Sequence, residues 1–375
     1  MTNTKQIYLD YAATAPLSES MKKYLISVLD LWGNPSSLHS VGEPARQLIE
    51  NTRRNTAEFI NADTKNIYFT CGGAASNTLA VRGYDKKHNC TVFYSPTSHK
   101  SILTCAGNCK NAHSLHVDDK GFIDLNDLKK RLDRGCINPF IVIDHANSEI
   151  GTIQNINAIT DLVHFYHGVV YLDCTGSIPA VPMDIQKTKA DMIGFSAHKL
   201  GGLKGCGVLY KKDAIRLEPL VYGSQERGLI GGTENIPGIA SLGKAIEDYD
   251  YSAVSAANRD YLYERIINSI TKSYLVGAST ESKNRLPHNL YMCFKGIEGE
   301  ALMILLDLNG IQVSTGSACT SGDLTASATL SAIGMEEQDV HSCIRMTFSG
   351  RETKEELDYV AENLKKCVDA LRDMN

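Results

Sequence analysis

The stretch GFSAHKLGGLK, residues 194–204, ends the apolar run MIGFS and sets Ser196, His198 and Lys199 just ahead of the glycine pair Gly201-Gly202. A lysine immediately past a strand end is placed to meet a ligand at the mouth of a sheet, where the carboxyl ends of parallel strands open into a crevice. Lys199 therefore reads in two ways. It is either a solvated loop lysine or an amine that forms a Schiff base with an aldehyde cofactor once burial or a neighbouring charge lowers its pKa.

Outward from this stretch, short apolar runs alternate with helical patterns. Ile67–Thr70 (IYFT), Phe140–Asp144 (FIVID), Val169–Asp173 (VVYLD), Met192–Ser196 and Val208–Tyr210 read as strands. Ile156, Ile159, Leu162, Val163 and Tyr166 make a helical stripe. Such alternation predicts an α/β fold with a largely parallel sheet. After about Ala253 the pattern changes, with a predicted helix over Val254–Thr271, then mixed strands and helices, and a charged amphipathic helix over Lys354–Arg372. Residues 12–252 are expected to form a large domain, and 1–11 with 253–375 a smaller α+β one.

The whole-chain arithmetic narrows the class. With 375 residues, 43% hydrophobic and 22% charged, the chain has the composition of a globular protein able to bury a sizeable core. A net charge of −5 argues against a dedicated nucleic-acid binder. The longest apolar runs, FIVID and ALMILLDL, fall far short of the ~18 residues a membrane span needs. The start, MTNTKQIYLD, has no apolar signal core. The 11 cysteines are odd in number and lack the dense spacing of a secreted scaffold, so a reduced, cytoplasmic setting is expected.

Three further features lie at strand ends. Gly72-Gly73 follows IYFT and opens a helix, which reads as a phosphate cradle or as a tight turn. Asp173 closes VVYLD, where a carboxylate caps a helix or pairs with a protonated pyridine nitrogen. His99, in TSHKS, is either structural or a ring-facing acid–base group. Together with Lys199 they fit one ligand, pyridoxal phosphate.

In VSTGSACTSG, residues 313–322, Cys319 sits among Gly, Ser, Thr and Ala, a setting for an exposed loop thiol. Cys71, Cys90, Cys136, Cys174, Cys206, Cys293, Cys343 and Cys367 read as inert apolar cysteines. Cys105 and Cys109 lack a second pair at zinc spacing, so packing is favoured there and no metal site is expected. Arg345 in CIRMTFSG reads as a surface ion-pair partner or a bidentate clamp for a substrate carboxylate.

Nearly the whole chain resembles the class V aminotransferases, and within them the cysteine desulfurases of the NifS/IscS type. The resemblance is carried by IYLDYAATAP, GNPSSLHSVG, TCGGAASN, TSHKSIL, HANSEIGTIQ, YLDCTGS, SAHKLGG, GSQERGLIGGTENIPG, STGSACTSG and IRMTFSGR, in that order. The spacing from Cys319 to Gly334 looks like the long catalytic loop of that group. The resemblance implies a fold-type-I pyridoxal-phosphate transferase with a mostly parallel seven-stranded sheet. It implies Lys199 as Schiff-base lysine, Asp173 at the pyridine nitrogen and His99 on the ring. Gly73, Ala74, Ser196 and His198 are then expected at the phosphate, with Thr233 reaching it from a partner subunit of a homodimer. Arg345 and Asn34 are expected to hold the carboxylate of L-cysteine, and Cys319 to take its sulfur for delivery to an acceptor protein of iron–sulfur assembly or tRNA thiolation.

The chain departs from that pattern where relatives have Gly-Gly-Thr-Glu and it has Gly72-Gly73-Ala74-Ala75. Ser148 replaces the second asparagine of HANN, Gly176 a glutamine, and Ile230 an arginine. A lost hydrogen bond to a charged group is worth ~1.5–3 kcal/mol, so these changes predict a thinner cofactor shell around an intact set of reacting residues. A shifted substrate for the same cofactor, or a sulfur-relay scaffold of weak catalysis, are the competing expectations.

Overall fold

The computed structural model describes residues 6–315 and 327–374. A short β1 (Ile7–Tyr8) is followed by helices Glu19–Val28 and Glu43–Phe59. Helices then alternate with β2 (Ile67–Thr70), β3 (Thr91–Tyr94), β4 (Ala112–Ser114), β5 (Pro139–Asp144), β6 (Val169–Asp173), β7 (Met192–Ser196) and β8 (Gly207–Lys211). Strands β2 to β8 form one seven-stranded sheet in the order β2-β8-β7-β6-β5-β3-β4. β8 runs antiparallel to both β2 and β7, and the other pairings are parallel.

Both faces of this sheet are covered, and period-2 alternation sorts its side chains between two cores. Ile141, Ile143, Val170, Leu172, Ile193 and Phe195 pack on one side. Phe140, Val142, Tyr171, Met192 and Leu209 pack on the other, against Leu79, Val81 and Ile102. Because β8 reverses direction, the chain turns back straight after Ser196. The turn Ala197–Lys199 is thereby held at the carboxyl ends of the parallel strands.

The C-terminal part adds β9 (Ser273–Leu275), β10 (Asn289–Phe294), β11 (Ile311–Gln312), β12 (Ser314–Thr315) and β13 (Cys343–Thr347). An antiparallel sheet of order β12-β13-β10-β9 forms there, and β11 pairs in parallel with β1. Ile7 and Leu9 therefore share a core with Leu262, Leu290, Ile344 and Leu364, far from them in sequence. Helix Lys354–Asp373 opens with a capping box between Thr353 and Glu356. The helix expected over Val254–Thr271 is shorter, Ala257–Ser269. Residues Tyr251–Ala253 form a separate 3₁₀ turn before it, and extended Ile270 ends it. No helix among the described residues is long and apolar enough to cross a membrane.

Candidate active site

A cavity of about 420 Å³ opens at the carboxyl ends of the strands, where β5, β6 and β7 deliver their last residues and Cys71-Gly72 follows β2. At one end, Gly72 turns the chain into helix Gly73–Lys87 with φ +142°, a conformation other residues rarely adopt. A Cβ on Gly73 would stand 2.6 Å from Ser196 Oγ and 2.8 Å from Thr175 Oγ1. Only glycine brings the backbone this close, and the Gly73 N–H donates to Ser196 Oγ at 2.9 Å. The first amides of the helix and its dipole make this end suited to an anion. Thr175 Oγ1 is buried without a partner here. Ala74, His198 and Lys204 complete the wall. Burial, with the charges of Lys199 and Lys204, pushes His198 down to about 4, so its ring is neutral at physiological pH.

At the other end, Asp173 accepts from Asn77 Nδ2 at 2.7 Å and from the Thr175 N–H at 2.8 Å. Tyr171 donates its hydroxyl to Asn77 Oδ1, which turns the amide so that Nδ2 faces Asp173. The same Nδ2 donates to Ser101 Oγ at 2.8 Å. Ser101 in turn meets His99 Nδ1 through its hydroxyl (2.7 Å) and its N–H (3.2 Å). Nδ1 accepts, which leaves the ring proton of neutral His99 on Nε2. One chain of hydrogen bonds thus orients both Asp173 and His99. Asn77 and Ser101, its central members, were not singled out in the sequence because nothing local marks them.

Lys199 lies in the wall between this cavity and a second of about 220 Å³ lined by Tyr11, Met21, Tyr249 and Phe348. Its Nζ donates to the carbonyls of Ala12 and, at 2.9 Å, Ala13. Burial first, and then the Arg345 charge, lower its pKa to about 8, against the pull of Asp10 and Asp173. Arg345, on β13, pairs with Asp10 at 2.9 Å and donates to the Ser148 carbonyl at 3.2 Å, while its Nε is buried and unpartnered. It therefore ties β13 to the N-terminal segment and to the loop after β5. Glu149, also unforeseen, accepts from Ser327 Oγ at 2.6 Å and Tyr291 OH at 3.1 Å. Burial raises its pKa. It anchors the first described residue after 316–326, the segment that contains Cys319 and lies outside the described residues.

Several expected residues are elsewhere. Asn34 is exposed, accepts from the Ser36 N–H, and lines neither cavity. Thr233 is exposed and likewise lines neither cavity of its own chain. Cys71 corrects its reading as an inert apolar cysteine: it is exposed at the cavity mouth, because it follows the last residue of β2 and escapes the sheet. Ile230 packs against the apolar cluster of Leu217 and Leu229. A Cβ on Gly176 would meet Ser148 Cβ at 3.0 Å and the Ala146 carbonyl at 3.1 Å, so the two departures occupy one close approach.

These residues fit pyridoxal phosphate. A glycine-walled anion cradle with an unpartnered hydroxyl, a hydrogen-bonded carboxylate and a buried amine of lowered pKa all line one cavity. Fold and site define a pyridoxal-phosphate-dependent enzyme on a doubly wound sheet. The family model for class-V aminotransferases matches residues 7–360. A cysteine desulfurase IscS of Dictyoglomus turgidum is 37% identical, with 98% of this chain and 96% of the relative covered. Cysteine desulfurase IscS 1 of Archaeoglobus fulgidus is 35% identical, with 98% of each covered. Among solved structures, a NifS-like protein superposes with a TM-score of 0.89 at 27% identity, covering 98% of this chain and all of that one. SspA in complex with cysteine does so at 0.80 and 28% identity, covering 93% of this chain and all of that one. The chain belongs to the class-V aminotransferase family.

Proposed function

We propose that the chain is a cysteine desulfurase, which releases L-alanine from L-cysteine and leaves the sulfur as a persulfide on Cys319. The carrying observation is Lys199: an amine of lowered pKa on the wall of a cavity that also holds Asp173 and His99, with Arg345 near enough to act on it. Similarity over nearly the full length to proteins named cysteine desulfurase, and to a protein solved with cysteine bound, supports this chemistry over other family activities.

Gly73, Ala74, Ser196 and His198 would hold the phosphate of pyridoxal phosphate, Asp173 its ring nitrogen and His99 its ring face. Held at Lys199, the cofactor would supply an electron sink for the α-carbon of an amino acid. Asp173 would keep a proton on the ring nitrogen. Lys199, neutral in part near pH 8, takes and returns the α-proton. Arg345 exchanges Asp10 for the substrate carboxylate. The Cys319 thiolate attacks the substrate sulfur: the carbon–sulfur bond breaks, a sulfur–sulfur bond forms, and the carbon fragment leaves as alanine after protonation. A loop thiol suits this step because the same sulfur must then reach an acceptor. The working form is a homodimer in which Thr233 serves the partner's site. The acceptor is a protein of iron–sulfur assembly or tRNA thiolation in the cytoplasm. Residues 12–252 form the cofactor domain, and 1–11 with 253–375 the smaller one.

The test is alanine release from L-cysteine, with pyridoxal phosphate and a thiol reductant, for the wild type and Cys319→Ala. Alanine from the wild type alone is expected. No alanine from either protein would sink the desulfurase reading. Equal release from both would remove Cys319 and favour a lyase of shifted substrate, a reading that the altered Ser148–Gly176 wall also supports.

A further inference from the structure

The cavity contains a second carboxyl that the reaction above leaves idle. β5 and β6 run parallel with Asp144 directly opposite Asp173, and both residues line the cavity. Neighbouring strands are ~4.8 Å apart, so two side chains in register on one face bring their carboxyls close, and like charges at such range do not both ionise readily. The donors around them are unequal. Asp173 receives the Asn77 amide and the Thr175 N–H, one on each oxygen. Asp144 shares a single donor, the His99 backbone N–H, at 3.0 and 3.4 Å from its two oxygens. Among the described residues, no ion pair is made by either.

We propose that this pair holds one proton, with Asp144 as the acid and Asp173 as the carboxylate, so that Asp144 presents an O–H donor to the cofactor ring. The assignment follows the rule that the carboxyl with more N–H donors keeps the charge. Burial and then the Asp173 charge push Asp144 well above the usual carboxylate range, opposed only by the His99 N–H. The other ionisable groups that couple to it are Tyr171 on β6 and Cys174 just beyond, both pushed up by burial and therefore neutral. The chemistry it selects is an oxygen or nitrogen lone pair, as on an anionic aryl oxygen. In the same cavity Gly176 supplies no side-chain donor and Ser148 supplies a hydroxyl.

The inference rests on the pyridoxal phosphate reading, and its first test needs neither cofactor nor turnover. Infrared spectra of the full-length, cofactor-free protein in D₂O at neutral pD should show a protonated-carboxyl band that Asp144→Asn removes. The difference spectrum separates Asp144 from Glu149, another carboxyl that burial pushes up. Absence of that difference band would overturn the proposal whether or not the protein desulfurates cysteine. Titration of the cofactor-free protein with pyridoxal phosphate, followed by absorbance, supplies the second readout. Asp144→Asn, whose amide still donates, should keep affinity within about twofold, whereas Asp144→Leu should lose about tenfold or more. Equal losses in both variants, or none in either, would also overturn it. If Asp144→Leu fails to fold, the infrared difference and the Asp144→Asn titration still decide.

Discussion

An amine withdrawn from water beside a guanidinium gives up its proton more readily than a surface lysine, and that is the situation of Lys199 between the Ala12 and Ala13 carbonyls and Arg345. Covalent attachment of an aldehyde needs the neutral amine, so loading of cofactor-free protein should accelerate as pH rises through about 8. Arg345→Gln removes the repelling cation and leaves Asp10, whose charge favours the ammonium. The midpoint of the loading-rate profile should therefore move upward, measured as borohydride-trapped mass against pH. An unchanged or lower midpoint would refute this coupling. Lys199, Asp173 and His99 were legible because each stands in a recognisable string, just past a strand end, at a strand end and at a helix cap respectively. Asp144 was read only as the end of FIVID. Its neighbour across the sheet follows from register, which no local pattern encodes.

At the scale of elements, helix Glu43–Phe59 is fastened to the sheet edge by one buried ion pair. Arg53 donates twice to Glu226, at 2.8 Å each, and once to the Ile67 carbonyl at 2.9 Å. Glu226 also accepts the N–H of Phe69, on edge strand β2, at 2.8 Å. Glu226 and Arg227 have φ of 45° and 55°, an unfavourable left-handed region, and the ion pair holds the chain there. The segment that follows leads to Thr233. Arg53→Met leaves a buried carboxylate unpaired and should cost about 3–5 kcal/mol in urea unfolding. Adding Glu226→Leu should recover much of that loss, because no lone charge then remains. A double variant as unstable as the single one would show that the geometry, and not the charge, matters. The partners are 173 residues apart, so neither the ion pair nor its role was visible in the sequence.

On the scale of the molecule, two of the segments that expose large apolar side chains lie before the second helix and ahead of Thr233. Trp32 is 79% and Leu38 94% exposed in the loop between the first two helices, and Tyr222 is 79% exposed ahead of Thr233. Burying them against a second copy would remove apolar surface from water at roughly 25 cal/mol per Å². Light scattering at micromolar concentration should give twice the 41.0 kDa chain mass. In that dimer, Thr233→Val should weaken pyridoxal phosphate binding without changing the mass. A monomer would take Thr233 out of the site.

The sequence by itself determined the α/β class, the strands that end at the site and most of the residues that meet there, because apolar period and strand-end motifs are local properties. IYFTCGGAASN, VVYLD and GFSAHKLGG each state their role within a dozen residues or so. Tertiary structure alone decided what lies between them. The Tyr171–Asn77–Asp173 relay, the Arg345–Asp10 pair, the Arg53–Glu226 lock and the Asp144–Asp173 doublet all join residues distant in the chain. Their energies come from burial and from charges brought side by side, and both exist only once the sheet has aligned its strands.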